Sequence, residues 1–265
     1  MKQSASAILT YHSLDDSGSV ISTHPDLFRE QIERFVELRI PVVPLRDAGR
    51  APGSLALTFD DGYDNFLEFG YPVLAKYGLP ATLFPISGYC GLRAGWLWSR
   101  SSARRPPGLM GLSALRALSG SGIEIGAHTV HHPDLTALPE ERAEREIRES
   151  RFSLEDGLGR AVEAFAYPYG ACTPAVKRLV KRHFRLACGT SLAYLTGKCD
   201  PFYLPRLDAY YLRRRLWYSR LMKLDGRAYM ACRRLLREAR GGARGGSPSP
   251  PGMDPADAGA GETRP

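Results

Sequence analysis

Short, almost wholly apolar segments alternate along this chain with longer segments in which apolar side chains recur every three or four residues. Residues 7–12 (AILTYH) and 55–60 (LALTFD) are of the first kind, as in strands that are covered on both faces. Residues 24–39 are of the second kind, and a proline in the first turn marks the start of a helix. This alternation predicts a parallel α/β architecture.

The same alternation continues to about residue 209. A long loop interrupts it at residues 87–111, which are rich in Gly, Ser, Arg and Pro. The chain shows no long-period repeat. Further strands are predicted over 41–45, 81–86, 122–128, 163–170, 185–190 and 202–209, and further helices over 65–77, 113–122, 139–159 and 174–184.

Length and composition are compatible with one large barrel or two small domains. The chain has 265 residues, of which 43% are apolar and 24% are charged, so it can bury a sizeable core. It contains no run of about eighteen or more apolar residues, and its start lacks the apolar stretch and cleavage site of a secretory signal. Its 5 scattered cysteines form no CxxC pair, which indicates reduced thiols rather than a disulfide framework. We therefore expect a cytoplasmic protein.

Basic residues are concentrated near the C-terminus. The formal net charge is +8, yet residues 212–244 carry eleven Lys and Arg side chains against two acidic ones, so the rest of the chain is close to neutral. We predict a main domain over 1–211, a basic amphipathic helical segment over 212–240 and a disordered tail over 241–265. The apolar positions of the basic segment recur at spacings of three and four: Trp217, Leu221, Leu224, Ala228, Ala231 and Leu235.

Two interpretations of the segment 212–240 remain open. It either packs on the main domain with a solvated basic side, or it is an interfacial helix that associates peripherally with anionic lipid, at the inner face of a membrane. No nucleic acid partner is expected, because no recognised nucleic-acid-binding fold surrounds these arginines.

Polar side chains interrupt the apolar segments at the ends of four predicted strands. They are His12, Asp60–Asp61, His128 and Tyr167–Tyr169. In a β/α barrel, the catalytic groups lie at the C-terminal ends of the strands. We therefore expect these four strand ends to meet over one mouth.

Asp60 and Asp61 are adjacent carboxylates that repel each other and are expensive to bury unless a cation neutralises one of them. His128 and His132 are four residues apart, and Pro133 biases His132 away from helical dihedral angles, so both belong on a strand-to-loop turn. Taken alone, this pair is better explained by one histidine on a surface loop and one that fills a gap in the packing. Together with the paired aspartates it predicts a divalent metal site, most consistent with catalytic Zn²⁺, whose ligands are Asp61, His128 and His132.

A divalent metal at this position defines a class of reaction. It would lower the pKa of its bound water toward about 7 and polarise a carbonyl oxygen. Asp60, left free of the metal, would then act as the general base. Gly62 allows the chain to turn sharply beside the substrate. The sequence therefore predicts hydrolysis of an amide or an ester through a tetrahedral oxyanion.

Three segments resemble the motifs of the polysaccharide deacetylase family, carbohydrate esterase family 4, with its NodB-homology domain. They are LTFDDGYDNF (57–66), EIGAHTVHHPDLT (124–136) and FAYPYG (165–170). The resemblance covers about residues 6–210 and makes 1–211 the catalytic domain. It implies a distorted (β/α) barrel of about seven parallel strands, a divalent metal that is usually zinc, and removal of acetyl groups from N-acetylated sugars of a glycan.

The resemblance also implies roles for individual residues. Asp60 matches the base, and the three residues of the predicted metal site match the ligands. Pro168, Tyr169 and Gly170 match a wall of the substrate groove whose backbone contributes to the oxyanion hole. We assign Tyr167 to the same substrate-binding side.

The chain departs from the family pattern in two ways. Many members start the third motif with an arginine that braces the base, but Phe165 opens it here, so we expect Arg206 (in LPRLD) to act as the brace beside the substrate. Many members also carry a late histidine as general acid. Here TYHSL resembles a subgroup in which an early strand supplies the acid, which makes His12 the predicted acid. The alternatives are a buried His12 bonded to the backbone, and a structural Arg206 that is either exposed to solvent or paired with a carboxylate.

Two other functions are compatible with the same residues. A carbohydrate O-acetyl esterase would use the same catalytic groups, and a non-catalytic glycan-binding module would retain only the groove. Retention of both aspartates and both histidines favours the enzyme. Trp96 and Trp98, in the long loop, would either stack on sugar rings or anchor the loop. An acetylated glycan is the expected partner.

Overall fold

Seven short parallel strands form the centre of the part of the chain that the computed structural model describes, residues 5–94 and 107–242. Each strand is buried over most of its length, because helices and loops cover its outer face. In chain order, β1 to β7 are Ala7–Tyr11, Leu55–Asp61, Ala81–Pro85, Ile123–Ile125, Ala164–Ala166, Leu186–Cys188 and Leu207–Asp208.

The strands close into a distorted barrel. Five of them form one sheet in the order β4–β3–β2–β1–β7, and β5 pairs with β6. Two parallel bridges join these groups, one between Ala127 and Phe165 and one between Cys188 and Leu204. The ring is therefore continuous but is held by single bridges on either side of the β5–β6 pair. This confirms the predicted distorted barrel of about seven parallel strands.

Amphipathic helices surround the barrel. The helix α1 buries Phe28, Ile32 and Phe35 against the strands, as the spacing of its apolar residues predicts. Between β2 and β3, one turn of π-helix over Phe66–Gly70 leads directly into α2. In chain order, α1 to α7 are Pro25–Glu37, Tyr71–Lys76, Leu112–Ser119, Glu140–Leu158, Pro174–His183, Arg215–Ser219 and Leu224–Gly242.

The strand predicted over 41–45 is wrong. In this segment only Val42 makes a β-bridge, to Leu55, and a short 3-10 helix over Leu45–Asp47 follows. Pro41 and Pro44 explain the difference, because proline has no backbone N–H to donate to a neighbouring strand.

The segment 212–240 contains two helices, α6 and α7, so the apolar positions from Trp217 to Leu235 do not lie along a single helix. Leu221 is buried at the break, and the ring of Trp217 stacks on Tyr229 with centroids 3.9 Å apart. Beyond the break the stripe turns outward: Leu224 is 74% exposed and Leu235 is 59% exposed. Because the two helices are separate, the apolar residues that would line one face of a continuous helix are divided. Trp217 and Leu221 pack against the protein, whereas Leu224 and Leu235 face solvent.

Three sequence predictions concern residues outside the described part of the chain: Trp96, Trp98 and the tail from residue 243 onward. Among the described residues, no helix combines the length and the apolar character that crossing a bilayer requires.

Candidate active site

The carboxyl end of β2 places two buried aspartates at the mouth of the barrel. Asp60 pairs in register with Phe84 of β3, and Asp61 pairs with Pro85. The chain then turns sharply, because Asp61 and Gly62 both adopt positive φ angles, of 68° and 82°. A Cβ on Gly62 would lie 2.9 Å from the Pro85 Cβ, so this turn requires glycine. The tight turn fixes the direction of both carboxylates.

Asp61, His128 and His132 form a compact group of ligand atoms. The Asp61 Oδ1 atom lies 3.6 Å from the Nε2 atom of each histidine, and the two Nε2 atoms are 3.2 Å apart. All three side chains are buried. Within the described residues, Asp61 Oδ1 has no hydrogen-bond partner, although burial of an unpaired carboxylate oxygen is costly. The donor set and the unpaired oxygen fit a divalent cation.

Hydrogen bonds fix the imidazole of His128 and the backbone of His132. His128 Nδ1 is 2.8 Å from the carbonyl oxygen of Ala166 on β5, so this nitrogen donates and Nε2 faces Asp61. The backbone N–H of His132 donates to Thr129 Oγ1 at 2.9 Å. Thr129 and His132 both have positive φ angles, of 65° and 60°. The second ligand is therefore carried by a tight, unusual loop rather than by a helix.

The protonation states of the group suit a cation. Burial raises the pKa of Asp61, and the neighbouring charge of Asp60 adds to this, despite the opposing effects of His12 and His128. Burial, followed by the proximity of His128, holds the pKa of His132 well below its usual value of 6.5. A neutral imidazole has a free lone pair for coordination, and a bound cation would offset the energetic cost of ionising Asp61.

Asp60 is held by a buried arginine that immediately precedes β7. Arg206 Nη1 donates to Oδ1 and Nη2 donates to Oδ2, each at 2.7 Å, and Arg206 Nε donates to the Gly189 carbonyl at 2.9 Å. Burial alone would raise the pKa of Asp60, but the charge of Arg206, followed by that of His128, outweighs it and holds the pKa far below 3.8. Asp60 is therefore ionised at any physiological pH.

The sequence model of the polysaccharide deacetylase family matches residues 48–184, about half of the chain. The chain belongs to the polysaccharide deacetylase family. The matched region includes the paired aspartates and both histidines of the metal-binding group.

Individual relatives agree with this assignment. A chitooligosaccharide deacetylase from Rhizobium leguminosarum bv. trifolii is 30% identical over 133 residues, which are 50% of this chain and 54% of that protein. The chain spans about half the length of the curated relatives it matches.

Two solved structures share the fold. The structure of IcaB from Ammonifex degensii has a TM-score of 0.69 at 22% identity, covering 84% of this chain and 98% of that one. The deacetylase PplD from Streptococcus pyogenes, in complex with acetate, has a TM-score of 0.66 at 23% identity, covering 78% and 93%. At such identities the likeness concerns the fold.

In this polysaccharide deacetylase family member, His12 lies at the rim of the mouth. Its Nε2 atom is 3.9 Å from Asp60 Oδ2, and its side chain is 22% exposed. The alternative of a buried histidine is therefore wrong. The ring is therefore partly open to solvent beside Asp60.

The third family motif forms a tight turn next to the metal-binding group. Pro168 and Gly170 are buried, and Tyr169 has a φ angle of 58°. The Tyr169 ring contacts the His132 ring edge-to-face, with centroids 4.6 Å apart. This turn therefore borders the group formed by Asp61, His128 and His132.

Two residues that we assigned to the substrate-binding side do not face the groove. Tyr167 is buried, and its hydroxyl donates to the Phe202 carbonyl at 2.9 Å. Arg206 is buried too, with its guanidinium paired to Asp60, so it braces the carboxylate and is not open to a substrate. Both assignments to substrate contact are wrong, because the side chains point into the protein.

One polar contact near the site has no signal in the sequence pattern. Glu146, one of several acidic residues on α4, bonds to the backbone of residues 130 and 131 beside His132. Its helical position resembles that of its solvated neighbours, so spacing alone does not distinguish it.

Proposed function

We propose that this protein is a metal-dependent hydrolase that removes acetyl groups from N-acetylated sugars of a polysaccharide or glycan intermediate. The observation that carries the proposal is that two adjacent aspartates at the end of β2 have different surroundings. Asp61 presents an unpaired oxygen to two imidazole nitrogens, while Asp60 is bound by an arginine and kept ionised. Two nitrogens and one carboxylate oxygen are a donor set typical of catalytic zinc, so we propose Zn²⁺ as the metal.

The side chains then have separate roles in hydrolysis. A divalent ion held by Asp61, His128 and His132 would supply Lewis acidity, which polarises a substrate carbonyl and makes water a readier proton donor. Asp60 accepts a proton as water adds to the acetyl carbon. His12 donates a proton to the sugar nitrogen as the carbon–nitrogen bond breaks. The products are acetate and a free amine on the sugar.

Two groups prepare the site for these proton transfers. Arg206 holds the Asp60 carboxylate through both oxygens and fixes its direction. The backbone of residues 168–170 borders the metal-binding group. Pro168 has no N–H and that of Gly170 donates to the Tyr167 carbonyl at 2.9 Å, so the N–H of Tyr169 is the donor that would stabilise the negative oxygen of the tetrahedral intermediate.

N-deacetylation is favoured over O-deacetylation by the resemblance to relatives named for chitooligosaccharides, whose acetyl groups are on nitrogen. A carbohydrate O-acetyl esterase is the second candidate, because esters would react through the same groups. A non-catalytic glycan-binding module is disfavoured, because binding alone gives no reason to bury Asp60 and Asp61 together.

Metal analysis combined with acetate release tests the proposal. Purified full-length protein is depleted of metal, reloaded with Zn²⁺ and incubated with N-acetylglucosamine oligomers and with acetylated xylan. We expect one zinc per chain and acetate release from the oligomers that stops on depletion and returns on reloading. Acetate release from xylan alone would indicate the esterase function. Glycan binding without acetate release from either substrate would contradict both enzymatic hypotheses.

We further propose that the segment 212–240 associates with an anionic lipid surface. On α7 the apolar side chains Leu224, Ala228, Ala231 and Leu235 follow one side of the helix, and all are exposed. Leu216 on α6 is 50% exposed. The surrounding residues 212–244 have the strong positive charge that anionic headgroups attract. Exposed leucines among arginines are typical of an interfacial helix.

The same helix lies close to the mouth. Arg237 Nη1 donates to the Thr190 carbonyl at 3.1 Å, and Thr190 Oγ1 donates to the Tyr169 carbonyl at 3.4 Å. Tyr169 in turn contacts the ring of His132. A membrane bound to α7 would thus lie near the substrate groove, which fits a glycan anchored to lipid.

Vesicle co-sedimentation tests the lipid proposal with the full chain. We expect binding to vesicles that contain phosphatidylserine and little binding to pure phosphatidylcholine. The double substitution Leu224→Ser and Leu235→Ser should abolish binding. Phe152→Ser, which alters an apolar residue on α4 that is 55% exposed, should leave it unchanged. Equal binding by the double variant, or self-association in place of vesicle binding, would contradict the proposal.

A further inference from the structure

The loop that carries His132 has a strained backbone. Thr129 and His132, at either end of a four-residue segment, both have φ angles near +60°. Non-glycine residues adopt this conformation at a cost of order 1–3 kcal/mol each, and a β-branched threonine is especially disfavoured. Such a loop persists only when its surroundings hold it in place.

Glu146 holds one side of this loop. Its Oε2 atom accepts hydrogen bonds from the backbone N–H groups of Val130 at 3.0 Å and His131 at 2.9 Å. Its Oε1 atom lies 2.8 Å from His131 Nδ1. Hydrogen bonds to an ionised carboxylate are roughly twice as strong as neutral ones. One side chain on α4 therefore bonds to two consecutive backbone N–H groups and to the ring of His131.

The turn after β3 holds the other side. The Ser87 N–H donates to the Thr129 carbonyl at 3.1 Å, and the Gly88 N–H donates to the Val130 carbonyl at 3.0 Å. A Cβ on Gly88 would lie 2.6 Å from the Val130 oxygen, so the two backbones are in close contact. The loop is thus held through its carbonyls on one side and through its N–H groups on the other.

We propose that Glu146 is a positioning residue that sets the affinity of the metal site. By holding residues 130 and 131 it maintains the left-handed conformation at His132, and that conformation turns His132 Nε2 toward Asp61. Without the carboxylate, two backbone donors lose their acceptor and the strained loop relaxes, which moves one ligand of three. This inference rests on the proposed metal site.

Zinc affinity measured by competition with a chromophoric chelator tests the proposal. We expect Glu146→Ala to weaken zinc binding by about 100-fold and Glu146→Gln by about 10-fold, because groups that orient metal ligands commonly contribute 10- to 100-fold. Glutamine keeps a backbone acceptor but loses the charge, so it also serves if the alanine variant fails to fold. The matched control is Glu149→Ala, which removes an exposed acidic residue from the same helix and should leave the affinity unchanged.

The melting temperature of the metal-free proteins distinguishes an effect of Glu146 on the metal ligands from an effect on the stability of the fold. A purely structural role would lower the melting temperature of metal-free Glu146→Gln and leave its zinc dissociation constant equal to that of the wild type, and this result would overturn the inference. If the wild-type protein itself binds no zinc, the metal centre is wrong and the inference falls with it. The two failures are therefore distinguishable, since only the first leaves a zinc-binding wild-type protein.

Discussion

Arg206 and Asp60 are 146 residues apart in the chain, yet the guanidinium of one donates to both carboxylate oxygens of the other at 2.7 Å. The arginine immediately precedes β7, which lies next to β1, and β1 lies next to β2. It also donates to Thr58 Oγ1 at 3.3 Å, inside the barrel. The residue that pairs with Asp60 thus lies outside the motif FAYPYG (165–170), just before β7.

Removing this brace should destabilise the protein. We expect Arg206→Met to lower the free energy of unfolding by about 3–5 kcal/mol at neutral pH, because it leaves Asp60 as a buried, unpaired charge. Arg206→Lys retains the charge but cannot bind both oxygens, so its effect should be smaller. Urea denaturation of both variants measures the difference. Equal stability of wild type and Arg206→Met would show that the ion pair is not formed.

The effect of Arg206→Met should depend on pH with a definite sign. In the wild type the pKa of Asp60 lies below its ordinary value of 3.8, so its stabilising contribution is present above that pH and is lost as the pH falls toward the lower value. In the variant, burial dominates and raises the pKa, so the ionised carboxylate destabilises the fold until it takes up a proton. The stability difference should therefore be largest at neutral pH and shrink as the pH falls toward the ordinary carboxyl value of 3.8, as measured by denaturation at several pH values.

Asp60→Asn should separate catalysis from metal binding. Loss of the general base should reduce kcat by about 100- to 10,000-fold, while zinc binding stays within a few-fold of wild type, because Asp61 and not Asp60 faces the two histidines. Acetate release and zinc titration measure the two effects. Asp64→Asn, an exposed residue of the same motif, is the control and should have nearly normal activity. A near-normal rate for Asp60→Asn would contradict the role of the base.

Loss of a histidine ligand should abolish stabilisation by zinc. At a zinc concentration 100 times the dissociation constant, binding stabilises the wild-type fold by about 2.7 kcal/mol, which raises its melting temperature. His128→Ala and His132→Ala should show no such rise, whereas His24→Asn, at an exposed helix cap, should behave as the wild type. A zinc-dependent rise in either ligand variant would place the metal elsewhere.

His12 should matter only when the leaving group needs a proton. We expect His12→Gln to reduce hydrolysis of an N-acetylated sugar by about 100-fold or more, because the amine must be protonated as it leaves. Hydrolysis of 4-nitrophenyl acetate should change little, since nitrophenolate leaves without a proton. Equal loss on both substrates would indicate that His12 acts through Asp60, 3.9 Å away, and not as the acid.

Tyr167→Phe tests the placement of this residue in the core. The change removes a hydrogen bond to the Phe202 carbonyl, so the free energy of unfolding should fall by about 0.5–1.5 kcal/mol. Since the hydroxyl does not face the groove, kcat and KM should stay as in the wild type. An increase in KM for a glycan substrate would contradict the buried position.

The spacing of residues along the sequence was sufficient to predict that the paired aspartates and the two histidines lie close together. The paired aspartates follow an apolar strand directly, and His128 and His132 are separated by one turn of loop, so their proximity depends on a few backbone dihedrals. The alternation of strands and helices predicted the barrel for the same reason, since the periodicity of each element is a short-range property. The proline-interrupted segment 41–45 shows the limit of this reasoning: apolar composition is not enough when N–H donors are missing.

Contacts between distant segments could not be predicted from the sequence pattern. Whether Arg206 faces the barrel interior, and whether Tyr167 faces the core, depends on the register with which the ring of strands closes. The exposure of Leu224 depends on how far a short break rotates α7, and the role of Glu146 depends on which side of α4 meets the loop at 129–132. Strand register, helix rotation and the contact between α4 and the loop are set by packing of the whole molecule. The alternatives for each are equivalent locally, and they differ in energy only when the distant partners are in place.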